Sequence, residues 1–305
     1  MQLAVFLPAL LVLLGPLAAM VIVFRRKAQR RAHYRSPLTS DLMRTAGSSV
    51  RKAIERLREQ VDDHLFLLVT VPMAIYAIHL TQSYLLGAEE SLLRSVLMIL
   101  IVLGTIIYLV RKLARMTAQV ERMKLGAEAE EWVGQQLDRL MRQGAYVFHD
   151  VPFDSFNVEH VVISAGGIFA VETKGRANPR RGGKHLDATV TFDGACLQFP
   201  GWSERRPVDQ AESQARALQQ WLTNAVGESI SVTPVLAIAG WFVDRRGPSA
   251  VLIYNGKNPD FLLNRRPHYS EQLLSRIAHP IEQRCRSIEP SLKGSASPEW
   301  ESRVG

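Results

Sequence analysis

The stretch "EHVVISAGGIFAVETKG" (159–175) decides how this chain is read. Two apolar runs meet at Ala165-Gly166-Gly167, which predicts a β-hairpin. Its far ends carry Glu159 on one strand and Glu172 and Lys174 on the other. A two-residue turn at Ala165-Gly166 sets Glu159 opposite Glu172, and a turn at Gly166-Gly167 sets it opposite Lys174. In either register all three side chains share one face, because strand side chains alternate with period two. Carboxylates facing each other across a sheet repel, so the pair calls for a cation. Lys174 supplies part of that charge, and a divalent ion held by Glu159 and Glu172 would supply the rest. The competing reading is a plain salt bridge at a strand end.

Around the hairpin the pattern is that of an α/β domain. "GAEAEEWVGQQLDRLMRQG" (126–144) carries a helical stripe of Trp132, Val133, Leu137, Leu140 and Met141, closed by Gly144. "AYVFHDVPF" (145–153) reads as a strand, and "ATVTFDGACLQF" (188–199) as a strand pair turning at Asp193-Gly194. "PVDQAESQARALQQWLTNAV" (207–226) predicts a helix with Pro207 in its first turn. "SVTPVLAIAGWFV" and "AVLIYN" follow as buried strands.

Before residue 111 the chain is of another kind. Of its 305 residues 47% are hydrophobic and only 22% charged, and the apolar ones are concentrated. Residues 1–24 carry no charge, 65–86 form a second apolar run, and 92–110 a third in which Arg94 lies near one end. Each is close to the roughly 20 residues that cross a bilayer as a helix. The first run is followed by "RRK" (25–27), whereas a cleaved signal peptide carries its charge in front, so it reads as a retained span. Residues 25–64 are dense in Arg and Lys, and 87–91, "GAEES", are acidic. The positive-inside tendency then puts the N-terminus outside, 25–64 in the cytoplasm, 65–110 as a helical hairpin, and everything after it in the cytoplasm of a cell whose inner (plasma) membrane holds the chain. Within 25–64, the spacing of Val50, Ile54, Leu57 and Val61 predicts a surface or packing helix.

The net charge of +8 is largely accounted for by these flanking residues and says little about nucleic acid. Cys196 and Cys285 are too few and too far apart for a zinc cluster, and a cytoplasmic setting argues against a disulfide.

Three motifs in order, "GAEAEEWVGQQL", "VEHVVISAGGIFAVETKG" and "RPVDQAESQARAL", resemble those of the nuclease-related domain (NERD) family, a branch of the PD-(D/E)xK nuclease superfamily. The resemblance covers roughly residues 122 to 255. It implies a restriction-endonuclease-like core, a mixed sheet flanked by helices, at 126–285, after a linker at 111–125 and before a polar tail at 286–305. It further implies a metal-dependent hydrolase of nucleic acid, DNA above all, using Mg²⁺ or Mn²⁺, which the apolar runs, outside the resemblance, would anchor in the membrane. Glu130 would be the first carboxylate, Glu159 and Glu172 the metal ligands, Lys174 the charge-stabilising group and Gln210 a positioning amide. Without the resemblance, Glu130 reads as part of a solvated helix face between Glu128 and Glu131. Two positions depart from the family pattern: Glu159 stands where an aspartate is expected, and Ala129 where a glycine is. These departures keep a second reading open, a catalytically silent, membrane-tethered nucleic-acid-binding or scaffold module. The basic loop after Lys174 offers Arg176, Arg180, Arg181 and Lys184 as contacts to a phosphate backbone. His160 faces away from Glu159 and reads as a packing residue, and Trp202 and Trp241 read as core or rim.

Overall fold

The computed structural model describes residues 40–85, 92–178, 180–181, 184–185, 188–264 and 269–288, with isolated positions 18, 21, 22, 25 and 26 before them. The span expected at 1–24, apart from the isolated positions 18, 21 and 22, the acidic turn at 87–91 and the end of the polar tail from 289 onward lie outside the described residues.

In chain order the elements are β1 (Leu42–Met43), α1 (Ser48–Leu85), α2 (Leu92–Asp138), β2 (Tyr146–Pro152), β3 (Asn157–Ser164) and β4 (Gly167–Gly175). There follow β5 (Arg180–Arg181), β6 (Lys184–His185), β7 (Thr189–Phe192), β8 (Leu197–Phe199), β9 (Trp202–Glu204) and α3 (Arg206–Val226). The last are β10 (Val232–Ala239), β11 (Phe242–Arg245), β12 (Leu252–Tyr254), α4 (Glu271–Cys285) and β13 (Arg286–Ile288).

The chain divides into two compact units. One contains residues 56–119, the apolar lengths of α1 and α2. Both helices are long and apolar enough to cross a membrane. Large apolar side chains such as Leu65, Phe66, Val69, Ile99, Leu100 and Ile101 stand exposed along them, which a helix meant for a soluble core would cover. The expected surface helix and the expected linker are not separate pieces: 48–64 is the start of α1 and 111–125 the middle of α2.

The other unit is Asp41–Glu55 together with Val120–Ile288. Its centre is a mixed five-stranded sheet in the order β12-β10-β4-β3-β2, with β3 antiparallel to both neighbours and β10 parallel to β4 and β12. Alternation along β3 and β4 sends Val161, Ile163, Ile168 and Ala170 to one face, where Ala215, Leu218 and Leu222 of α3 and Ile277 and Ile281 of α4 cover them. Val162, Phe169 and Val171 go to the other face, against Val133 and Leu137 of α2 and Leu140 just after it. The result is a helix, sheet, helix sandwich, in which fully buried Leu, Ile or Phe side chains each contribute about 1.5–3 kcal/mol. A second sheet, β11-β7-β8-β9, packs Phe192, Leu197 and Phe199 against Val208 and Ala211 of α3 and Leu236 and Ile238 of β10. The end of the stripe at Gly144 is confirmed: that glycine takes φ +87°, a left-handed conformation with little penalty for glycine, and its N–H closes on Met141.

The strap Asp41–Glu55 was read from sequence as part of a loop, yet it belongs to this unit. Its β1 pairs with β13. Ala46 lies so close to α2 that a Cβ at Gly134 would come within 2.7 Å of its methyl. Buried Asp150, held at φ +53°, accepts five hydrogen bonds: from Arg44, Ser48, the Ser49 amide and hydroxyl, and Asn157.

Candidate functional site

The turn is at Ala165-Gly166. Ser164 pairs with Gly167 and His160 with Val171, the register that aligns Glu159 with Glu172. The ladder stops there, and the Thr173 amide, two residues further on, donates to the Glu159 carboxylate instead of to a β3 carbonyl. Glu172 is fully buried, and the Lys174 ammonium, half-buried on the same face, donates to its Oε1. The second oxygen of Glu172 has no hydrogen-bond partner among the described residues.

Glu130 joins these residues from α2. The sequence alone favoured a solvated helix face for it; the structure buries it to 4% exposure, with the Gly47 amide donating at 2.9 Å. Burial pushes its carboxyl up to about 7, with Asp150 and Glu172 adding to the rise, while the Gly47 N–H and Arg51 oppose it. Glu159 is raised well above the usual carboxylate range, by burial first and then by the charges of Glu172 and Glu130; Lys174 and the Thr173 N–H work against that shift. Three acids therefore share one neighbourhood with one lysine. Each also has a protein donor, and among the described residues no group of three His, Cys, Asp or Glu side chains is spaced to hold a metal ion.

Gln210 sits half-buried in the first turn of α3, and no hydrogen bond ties its side chain to the acids among the described residues. One turn later Gln214 is buried and donates to the Asn157 carbonyl. Arg176 forms a two-pronged ion pair with Glu204, at 2.9 and 2.6 Å, and Trp202 donates to the same carboxylate. Arg176 first, then Trp202, holds Glu204 below the usual carboxylate range. The backbones of Arg180, Arg181 and Lys184 run in a short antiparallel ladder, and their side chains lie outside the described part of the structure. His160 is fully buried on the face opposite Glu159; its Nδ1 meets His149 Nδ1 at 2.8 Å, and His149 Nε2 meets Asp138 at 2.9 Å. Burial and His149 keep His160 well below its ordinary pKa, as suits a packing residue. Trp241 and Trp202 pack with Phe199 in the core beneath the second sheet.

Sequence reasoning missed Gly47, Asp150 and Glu204. Only the helix-start pattern of Ala46-Gly47-Ser48-Ser49 before an apolar periodic run hinted at order in the strap. Its partners lie roughly a hundred residues downstream, as the Ser48–Asp150 separation of 102 shows.

Fold and site together define a mixed α/β domain with a partly buried acid and lysine cluster at the open end of a hairpin. Residues 125–239 match the family described as NERD, Nuclease-related domain. That span contains Glu130, Glu159, Glu172, Lys174 and Gln210, and excludes the strap and α4. Comparison with curated proteins finds no match, and comparison with solved structures finds none.

Proposed function

We propose that the chain is a membrane-tethered module that binds nucleic acid through a nuclease-like domain and is silent toward phosphodiester bonds in the arrangement described. The observation that carries this reading is that every acid of the cluster is engaged by a protein donor: Glu130 by the Gly47 amide, Glu159 by the Thr173 amide and Glu172 by Lys174. Glutamate stands at 159, one methylene longer than the family's aspartate, and its carboxylate accepts from the Thr173 amide. Arg180, Arg181 and Lys184, in the loop that follows Lys174, are the proposed contacts to the phosphate backbone of DNA.

The Oε2 of Glu172, without a hydrogen-bond partner among the described residues, favours a second reading, a metal-dependent nuclease with a restriction-endonuclease-like core. Glu159 and Glu172 are oxygen donors suited to Mg²⁺ or Mn²⁺, and a bound ion would supply charge neutralisation and an activated water. Lys174 would then stabilise the developing phosphoryl charge, Glu130 would act as an outer carboxylate and Gln210 would orient the substrate.

The proposed location is the inner membrane, with the globular unit in the cytoplasm. Asp41–Glu55 and Val120–Ile288 form one unit, so both lie on one side, and the chain between them crosses an even number of times. The two apolar helices supply such a pair of crossings.

The test uses the full chain in lipid nanodiscs, because a fragment starting beyond the apolar helices would lack Asp41–Glu55 and the Gly47–Glu130 bond. DNA and RNA, single- and double-stranded, are presented with chelator, Mg²⁺ or Mn²⁺, beside K174A and E172A variants checked for folding. Salt-sensitive binding without cleavage in every condition is the expected result. Metal-dependent cleavage lost in both variants would replace it with the nuclease reading, and failure to bind any nucleic acid would remove both.

A further inference from the structure

Beyond Lys174 the chain passes the C-terminal ends of the parallel strands β4 and β10, the end of such a sheet where ligands are usually bound. A pocket of about 250 Å³ opens there against α2. Leu125 and Trp132 on the helix line it, together with Gly175 at the end of β4 and with Arg176 and Gly240 just beyond the strands, and exposed Glu128 stands at its rim. A Cβ at Gly175 would lie 2.8 Å from the Leu125 carbonyl, so glycine there allows the helix wall to close in, while a Cβ at Gly240 would meet nothing within 4 Å.

Two planar groups face this volume, and each is held. Trp132 is half-buried, its six-membered ring seated over Gly256, where a Cβ would come within 2.8 Å of the ring. The indole N–H groups of Trp202 and Trp241 are bonded, to Glu204 and to the Arg176 carbonyl; that of Trp132 has no partner among the described residues. The Arg176 guanidinium is fixed by both oxygens of Glu204 and by the Gly175 carbonyl at 3.1 Å. Its charge is thereby compensated, and what it offers a ligand is a flat, immobile surface. A free phosphate gains little from a neutralised arginine and is repelled by Glu128, whereas a base gains from planar faces and from an acceptor for an exocyclic amino group.

We infer that this pocket receives a single unstacked nucleobase, held against Trp132 and the clamped Arg176, next along the chain from Lys174. The inference rests on the nucleic-acid reading above and narrows it to single strands or frayed ends, since a base inside a duplex is not free to enter.

The experiment uses the full chain in nanodiscs with chelator present. The probes are a thymine oligonucleotide carrying one 2-aminopurine, the same strand in a blunt duplex, and 2-aminopurine mononucleotide. Binding of the single strand should quench the probe, and W132L should remove the quench and weaken single-strand affinity about ten- to a hundredfold, the range for one base-stacking contact. W132F should restore most of both, and R176K, which keeps the charge without the plane, should fall between. Duplex affinity should change less than twofold in every variant. Binding that is independent of Trp132, or an equal loss for strand and duplex, overturns the pocket and leaves the nucleic-acid reading standing. Mononucleotide binding as tight as that of the strand makes a free nucleotide the occupant and overturns the strand assignment. No binding of any probe, strand and duplex included, removes both readings.

Discussion

Two groups of buried acids in this domain are handled in opposite ways. Asp150 is saturated: five donors, one of them the Arg44 guanidinium at 3.1 Å, fill both of its oxygens. Glu130, Glu159 and Glu172 share one ammonium among three carboxyls, repel one another, and leave an oxygen of Glu172 without a partner among the described residues. The first arrangement is what a fold does with a charge it uses as a fastener; the second is unfavourable for stability and is the kind that functional sites accumulate.

The contrast can be broken most forcefully at Asp150. D150N keeps the shape and tolerates φ +53° but leaves Arg44 without its anion; the fold should lose about 2–4 kcal/mol, read as a lowered unfolding temperature of the full chain in detergent. At the acid cluster the effect depends on pH. An unfolded glutamate ionises near 4.5, and folded Glu130 near 7, so between these values the folded state holds more protons than the unfolded one. Stability should therefore fall as pH rises from 4.5 to 7, by on the order of 2–3 kcal/mol from this group. E130Q should flatten that slope and stabilise the fold at pH 8; an unchanged slope would mean that Glu130 is not the group responsible. A smaller effect should follow from S48A, which removes one donor at 2.7 Å of the five on Asp150 and should cost about 1–2 kcal/mol without a pH signature.

Local signals carried much of this fold into view. The alternation in 159–175 was enough to put Glu159, Glu172 and Lys174 on one face, and the observed turn selected one of the two registers the residues allowed. The α3 helix begins one residue before the expected start and ends where expected, at Val226. What remained hidden depends on distant partners. Nothing near Glu130 distinguishes it from Glu128 and Glu131; it is buried because the strap lies over it. The strap itself reads as a basic loop because its order comes from Asp150 and β13, far along the chain. Arg176 read as a loose phosphate contact, since its partner Glu204 is 28 residues away. Periodicity reports which face a residue occupies, and pairing across long separations lies beyond it.

The division of the globular unit by an apolar hairpin has a consequence for how the protein is made. Translation delivers Asp41–Glu55 first, then the two apolar helices, and only then the strands and helices that receive the strap. β1 has no partner until Arg286–Ile288 has been synthesised. A nascent chain that inserted one helix and not the other would leave the strap and the rest of the domain in different compartments, with Asp150 and Glu130 deprived of their donors. On the proposed membrane-spanning reading, only molecules whose two helices have been threaded as a pair complete the core, and folding of the domain then acts as a proofreading step on insertion.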